Sequence, residues 1–255
     1  MSTTKPILFT GEMVRAILDG RKTVTRRVVK FSDGFCRAEH ISGPEDAYGV
    51  EFTDDHASAM FLVAGDMGYT APVKCPYGQP GGLIWVRETH RRWCPEEEPR
   101  GYNWRVRYAA DGALSVTGTI WDEGPQYMNP SDTGLDVEPS KWRPSIHMPR
   151  WASRLNLRLT DVRVERVQDI TQDDVFAEGV QLPVHPESGR LLLDISSRYA
   201  PVNYLPLRFG GRYEWSASDV AVAHFASIWD RINSARGYPW ANNPWVWVLG
   251  FEVIG

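Results

Sequence analysis

The last apolar stretch of the chain places the strongest constraint on its fold. Residues 245–249 read Trp-Val-Trp-Val-Leu, and Phe251 and Val253 continue the pattern, so both faces of one extended segment are apolar. Successive side chains of a strand point to opposite faces, and a strand that is apolar on both faces must be covered on both. The pattern therefore predicts a strand in the centre of a sheet.

Several other segments have the patterns of strands, and three have the patterns of helices. The expected strands cover residues 6–9, 28–29, 83–86, 104–108 and 155–164. The expected helices cover residues 10–18, 171–178 and 221–232. Many short strands with few helices predict a mainly β fold with flanking helices (α+β), in which the strands form a small β-barrel.

Local signals indicate where some of these elements end or bend. Gly20 stands where a glycine would end the first helix, and Gly179 closes the second. Thr171 and Asp174 resemble a capping box at the start of that second helix. The alternation of apolar and polar residues slips by one position at Thr160-Asp161, which predicts a bulge or tight turn there.

Three long stretches lack any periodic pattern. They cover about residues 31–78, 112–150 and 180–215 and are rich in polar residues, glycine and proline. We interpret them as partly ordered insertions on the surface of a single domain, 1–255.

The composition limits the classes of function. A net charge of −4 argues against a protein that grips nucleic acid mainly by charge, although a local basic patch remains compatible with it. No apolar run is long enough to span a membrane, and we expect a cytoplasmic protein. Cys75, His90 and Cys94 match no standard zinc spacing, so we expect neither a metal nor a cofactor.

The segment from Gly20 to Arg27 concentrates basic and hydroxyl groups without an acid. Lys22 could act as a base that takes the proton of the Thr25 hydroxyl, which would make that hydroxyl a nucleophile. Arg26 and Arg27 would lower the pKa of the amine by like-charge repulsion. In a regular strand Lys22 and Thr25 would point to opposite faces, so the pairing requires a turn between them. A solvated basic loop or a phosphate-binding loop is the simpler alternative.

Two further segments carry polar groups suited to a site. Glu178, on the second helix, could act as a general acid or orient the Lys22 amine, and an ordinary surface glutamate is the alternative. On the strand at 83–88, Trp85 and Arg87 share one face and could contact a flat heterocycle, whereas Glu88 faces the other side. A structural ion pair between an arginine and Glu88 is the alternative.

The segment at 144–151 is dense in hydrogen-bonding and aromatic groups between two prolines. His147 lies in it and is a candidate to line a pocket wall. A rigid connector that leads into the strand at 155 is the alternative interpretation.

The order Gly20-x-Lys22-x-x-Thr25-x-Arg27, followed by a glycine turn and the strand at 83–88, resembles the ASCH domain family, whose fold is a PUA-like β-barrel. The longer chain, with its segment at 142–151, is similar to ASCH-domain proteins of bacteriophages and prophages. ASCH domains are suspected RNA binders. Their best-defined enzymatic relatives are bacterial acetylcytidine amidohydrolases, which remove an acyl group from the exocyclic amine of cytidine.

The resemblance implies specific roles for the candidate residues. It places Lys22, Thr25 and Glu178 on the family's catalytic lysine, threonine and glutamate. The substrate-binding candidates are Arg26, Arg27, Trp85, Arg87, Glu88 and His147. The implied function is an amidohydrolase that acts on an acylated cytidine or related nucleoside.

Two other hypotheses stay open at this point. A non-catalytic module could bind RNA or a modified nucleotide through the same basic segment, with aromatic side chains stacking on bases. Alternatively, the domain could serve only as a scaffold for protein contacts made by the three insertions.

Overall fold

The computed structural model describes ten ranges of the chain. These are residues 4–31, 47–53, 58–63, 68–69, 72–93, 105–116, 141–182, 207–209, 212–214 and 217–254. Each of the three expected insertions lies partly outside these ranges.

The described ranges contain three α-helices. They are α1 (Gly11–Leu18), α2 (Gln172–Ala177) and α3 (Ala217–Asn233). As predicted, Gly20 follows α1 with φ +73°, a left-handed conformation that suits glycine. The capping box at Thr171 and Asp174 is also present, because each side chain accepts a hydrogen bond from the other residue's backbone N–H. Short 3₁₀ turns lie at residues 145–147, 150–152, 167–169, 234–236 and 240–242.

The same ranges contain short strands and two long ones. They are β1 (Lys5–Leu8), β2 (Val24–Val28), β3 (Ala47–Phe52), β4 (Ser58–Val63), β5 (Gly68–Tyr69), β6 (Val73–Lys74), β7 (Leu83–Arg87), β8 (His90–Trp93), β9 (Arg105–Tyr108), β10 (Leu114–Val116), β11 (Asn156–Arg166), β12 (Leu207–Phe209), β13 (Arg212–Glu214) and β14 (Trp245–Ile254). The structure is therefore a sheet-rich α+β fold with few helices, as the sequence predicts.

The largest sheet has the strand order β1-β7-β11-β14-β2. β1 runs parallel to β7, whereas β11 pairs with β7 and β2 pairs with β14 in antiparallel fashion. β14 lies between two neighbours and its residues 245–251 are buried, which confirms the prediction of a central strand. The smaller sheets are β10-β9-β8, β12-β13, and β3-β4-β5 with β6 paired to β4. Within the described ranges the strands form open sheets and no closed barrel.

The chain divides into two compact units. Unit 1 comprises Met1–Gly20, Gly82–Arg158 and Glu252–Gly255, and unit 2 comprises Arg21–Gly81 and Leu159–Phe251. This division does not test the expectation of a single domain, which stays a prediction. None of the helices in the described part of the chain combines the length and the hydropathy that a membrane crossing needs.

The core of unit 2 positions the candidate site. Ten buried residues form one apolar cluster that draws on α2, α3 and β14, and Val24 and Val28 of β2 pack against it. In β11 the buried residues have odd numbers before Thr160-Asp161 and even numbers after it, as the sequence predicts, while the strand itself continues. A Cβ atom built on Gly250 would lie 3.0 Å from the Thr160 hydroxyl oxygen, so the close approach at this slip suits a glycine.

Candidate active site

The segment that leads into β2 is extended, so the turn expected between Lys22 and Thr25 is wrong. Lys22 forms an antiparallel bridge with Glu178, and the next residue is held on both sides. The Thr23 N–H donates to the Ala177 carbonyl at 2.8 Å, and the Thr23 carbonyl accepts from the Phe251 N–H at 2.9 Å. These backbone hydrogen bonds hold the segment in the conformation of a strand.

An extended segment places alternate residues on opposite faces. Val24 and Val28 pack against the apolar cluster of unit 2, and Lys22 and Arg26 both contact Glu178 beside it. The even-numbered residues of this segment therefore share one face. Thr25 belongs to the other face, paired in register with Leu249 of β14.

Lys22 and Glu178 form a buried ion pair. Lys22 is 1% exposed and Glu178 is 8% exposed. The Lys22 amine donates to Glu178 Oε2 at 2.5 Å, to the Glu178 carbonyl at 2.9 Å and to the Val24 carbonyl at 2.8 Å. Three acceptors match the three N–H donors of an ammonium group, so the geometry suits the protonated amine beside an ionised carboxylate.

The environment of Lys22 favours release of its proton. Burial lowers the pKa of Lys22 from its ordinary value of 10.5, while the charge and hydrogen bond of Glu178 oppose that effect. The positive charges of Arg27 and Arg26 lower the pKa further. A buried ammonium with a lowered pKa is a better proton donor than a solvated lysine.

The lowered pKa predicts a pH dependence of stability. Between the folded-state pKa of Lys22 and 10.5, the unfolded chain carries a proton that the folded chain lacks, so the free energy of unfolding rises with pH. We expect the stability difference between wild type and Lys22→Met to grow in favour of wild type as pH approaches 10.5 from below. Urea unfolding of both proteins over a pH series measures it. A difference that shrinks towards pH 10.5 would contradict the assignment.

Arg26 is enclosed by three carboxylates. It is 3% exposed, and its Nη2 lies 3.2 Å from Glu165 Oε2 and 3.1 Å from Asp174 Oδ2. Its Nη1 lies 3.6 Å from Glu178 Oε1. We expected Arg26 to contact substrate, but its guanidinium is buried and instead joins Glu178 to two further acids. Arg26 thus places a second positive charge beside the Glu178 carboxylate of the ion pair.

An outer arginine continues this network towards the surface. Arg163 donates to Asp161 at 2.7 Å, to Glu165 at 2.5 Å and to Asp174 at 3.3 Å. Partial burial acts to raise the pKa of Asp174, but Arg26 and the hydrogen bonds of the helix cap hold it below its ordinary value. Acidic and basic side chains therefore alternate from the partly exposed Arg163 inwards to the buried Lys22.

Several polar atoms of this cluster are buried without a hydrogen bond. Among the described residues they include the Thr25 hydroxyl, Nε and Nη1 of Arg26, and Oε1 of Glu178. Buried polar atoms are satisfied in most proteins, and exceptions often mark a water, a ligand or a catalytic role. The Thr25 hydroxyl bonds to neither Lys22 nor Glu178. Glu178 has one oxygen hydrogen-bonded to Lys22, and its other oxygen, Oε1, has no hydrogen bond and lies 3.6 Å from Arg26 Nη1.

Arg27 lies on the Thr25 face of β2 and is partly exposed. Its Nη1 donates to the Arg26 carbonyl at 3.3 Å, and in register it pairs with Trp247 of β14. Its position leaves the prediction that it contacts a ligand open.

The candidates on β7 belong to unit 1. The Arg87 guanidinium lies 5.3 Å from the centre of the Trp85 ring, so the two share a face as predicted. Arg150 lies 5.6 Å from the same ring, and Arg87 Nε donates to the Met148 carbonyl at 3.0 Å. Trp85 is 7% exposed, which makes its ring largely a packing surface for these arginines.

Glu88 belongs to a structural ion pair. It is 1% exposed and receives two hydrogen bonds from Arg154, at 2.9 and 3.0 Å. Arg154 also bonds to Asp111 and lies 4.0 Å from the centre of the Tyr108 ring. Burial raises the pKa of Glu88, and Arg154 opposes that shift. The ion-pair alternative therefore accounts for Glu88 better than contact with substrate.

His147 lies in an exposed 3₁₀ turn of unit 1. The surrounding segment exposes large apolar side chains to solvent, including Trp142 at 45% and Trp151 at 47%. The Arg91 guanidinium lies 4.7 Å from the centre of the Trp142 ring. This part of unit 1 is thus an aromatic and basic surface.

Sequence reasoning missed the roles of Glu165 and Asp174. Asp174 lies four residues before Glu178, a spacing that places two side chains on the same face of a helix, and this signal was available. Glu165 offered no comparable signal, because its contact with Arg26 joins residues 139 positions apart.

No metal centre is apparent among the described residues, which hold no group of three or more potential His, Cys, Asp or Glu ligands. Cys75 is buried in unit 2 and His90 is buried in unit 1, whereas Cys94 lies outside the described ranges.

Comparisons of the chain with protein-family models, with curated proteins and with solved structures found no match.

Proposed function

We propose that this chain is an amidohydrolase that removes an acyl group from a modified cytidine or a related nucleoside. The observation that carries the proposal is the buried ion pair of Lys22 and Glu178, with a proton donor of lowered pKa beside a carboxylate oxygen that has no hydrogen bond. The resemblance to ASCH domains and their PUA-like barrel supplies the substrate class and is part of the proposal.

The geometry favours one division of roles in the reaction. Glu178 takes a proton from a water molecule, which adds to the acyl carbonyl carbon. As the bond between that carbon and the exocyclic nitrogen breaks, Lys22 gives its proton to the departing amine. Glu178 then returns the proton it took from water to Lys22 across their hydrogen bond. The products are the free carboxylic acid and cytidine. Because both groups are buried, the proposal requires the acyl group to displace residues that cover them.

Thr25 offers a second route to the same products. Its hydroxyl would attack the carbonyl and form an acyl-enzyme that water then hydrolyses. The extended segment from Lys22 to Thr25 places this hydroxyl on the face opposite Lys22, so the route through water fits the geometry better. In the preferred route Thr25 has no part in bond making.

The test is release of acetate from acetylcytidine by purified protein. We expect Glu178→Gln to lower kcat by about 100-fold to 10,000-fold, the usual contribution of a general acid or base. The amide keeps the size of the side chain, and circular dichroism checks its folding. Glu12→Gln, an exposed change in the first turn of α1, is the matched control and should keep wild-type turnover. Absence of turnover in the wild type, or full turnover in Glu178→Gln, would overturn the proposal.

The threonine route has its own outcome in the same assay. Thr25→Val keeps the shape of the side chain and removes the hydroxyl. Turnover within a few-fold of wild type supports the route through water. Loss comparable to that of Glu178→Gln would instead make Thr25 the nucleophile.

A binding module for RNA or a modified nucleotide is the second candidate. The exposed rings of Trp142 and Trp151 and the nearby arginines favour it, because such surfaces stack unpaired bases. Salt-dependent binding of single-stranded RNA without any release of acetate would favour this function over the first.

A further inference from the structure

A wide-open cavity of about 650 Å³ lies beside the end of α2 in unit 2, and the reaction proposed above does not use it. Its lining consists of Arg21, Phe176, Val180, Gln181 and Leu182. Phe176 is 40% exposed, an unusual position for a phenylalanine on a short helix. None of these described lining residues is acidic.

The cavity adjoins the Lys22–Glu178 pair through the backbone. Lys22 and Glu178 face each other in an antiparallel bridge, and Arg21 Nη1 donates to the Gly179 carbonyl at 3.0 Å. Arg21 directly precedes Lys22, and Phe176 and Val180 each stand two residues from Glu178. Gln181 and Leu182 stand three and four residues beyond it.

The side chains of the cavity suit a flat, polar-edged ring. Its volume falls within the range of about 300–1,000 Å³ that is usual for small-molecule sites. Phe176 offers an aromatic ring for stacking, and Val180 and Leu182 add apolar surface. The amide of Gln181 can both donate and accept hydrogen bonds, as the edge of a pyrimidine base does.

We propose that this cavity binds the pyrimidine base of the substrate, stacked on Phe176 and bonded at its edge to Gln181. The inference rests on the proposed function for its ligand class, and it names the residues that recognise the nucleoside. The acyl group attached to the base would then point towards Glu178, which lies two residues from Phe176 and three from Gln181.

Equilibrium titration with cytidine, the reaction product, tests the cavity without any turnover. We expect Phe176→Ala to weaken cytidine binding about tenfold, as expected for the loss of base stacking. Phe176→Tyr should retain binding because it keeps the ring. Leu18→Ala removes an equally exposed apolar side chain, 44% exposed on α1 of unit 1, and should bind like wild type.

Titration with acetanilide separates recognition of the base from general apolar binding. Gln181→Leu should weaken cytidine and leave acetanilide unchanged. Wild-type binding of acetanilide but not cytidine would overturn the inference, as would cytidine binding that Phe176→Ala leaves intact. Thermal melting of each variant confirms that it folds.

The two proposals fail in different ways. Cytidine binding that depends on Phe176, without release of acetate from acetylcytidine, would retain the base site and reject the reaction. Release of acetate with an unchanged KM in Phe176→Ala would retain the reaction and reject the base site.

Discussion

Replacing Lys22 with methionine is expected to lower the free energy of unfolding by about 3–5 kcal/mol, the usual cost of leaving a buried charge without its partner. The change removes the three hydrogen bonds of the Lys22 amine, and among the described residues it leaves Arg26 as the ion-pair partner of the buried Glu178 carboxylate. Urea unfolding measures the effect. Lys30→Met is the matched control, because Lys30 is exposed, and it should change stability by less than about 0.5 kcal/mol.

A double variant separates the cost of leaving the Glu178 charge unpaired from the cost of lost packing. Lys22→Met combined with Glu178→Gln removes both charges, so we expect it to be more stable than Lys22→Met alone. A loss below about 1 kcal/mol in Lys22→Met would show that the pair is not buried as described.

Replacing Arg26 with methionine is expected to cost a comparable amount, about 3–5 kcal/mol. The change leaves Glu165, Asp174 and Glu178 without the cation that joins them, and their mutual repulsion then acts in a partly buried place. Because Arg26 helps to hold the pKa of Asp174 below its ordinary value, the loss should decrease at low pH, where Asp174 is protonated. Chemical unfolding at neutral and acidic pH measures both effects.

Two further variants show whether the Arg26 effect depends on its guanidinium geometry and on its burial. Arg26→Lys should restore only part of the stability, because one ammonium cannot reach three carboxylates with the geometry of a guanidinium. Arg158→Met removes an exposed ion pair with Glu252 and should cost about 0–1 kcal/mol. Equal losses in Arg26→Met and Arg158→Met would contradict a structural role for the buried network.

The elements of the fold were predictable where local signals decide them. The end of α1 at Gly20, the capping box at Thr171 and the central position of β14 follow from caps and periodicity within a few residues. The phase slip at Thr160-Asp161 was predictable for the same reason. Such signals depend on neighbours in sequence, so a single chain reveals them.

The candidate site was predictable only in part. The pattern pointed to Lys22 and Glu178, but their contact joins residues 156 positions apart, and no local signal gave it. The expected turn at Lys22 was wrong because Thr23 is bonded on both sides by distant segments, which hold it extended. Arg26 was expected to contact substrate, and only the packing of β2 against α2 shows that it is buried.

The central claim is that Lys22 and Glu178 act as one acid–base unit in deacylation. A double-mutant cycle on kcat for acetylcytidine tests it most directly, with Lys22→Met, Glu178→Gln and both changes together. Groups that act as a unit give strongly non-additive losses. We therefore predict that the double variant is no less active than the less active of the two single variants. Losses that multiply, or wild-type turnover in either single variant, would contradict the claim.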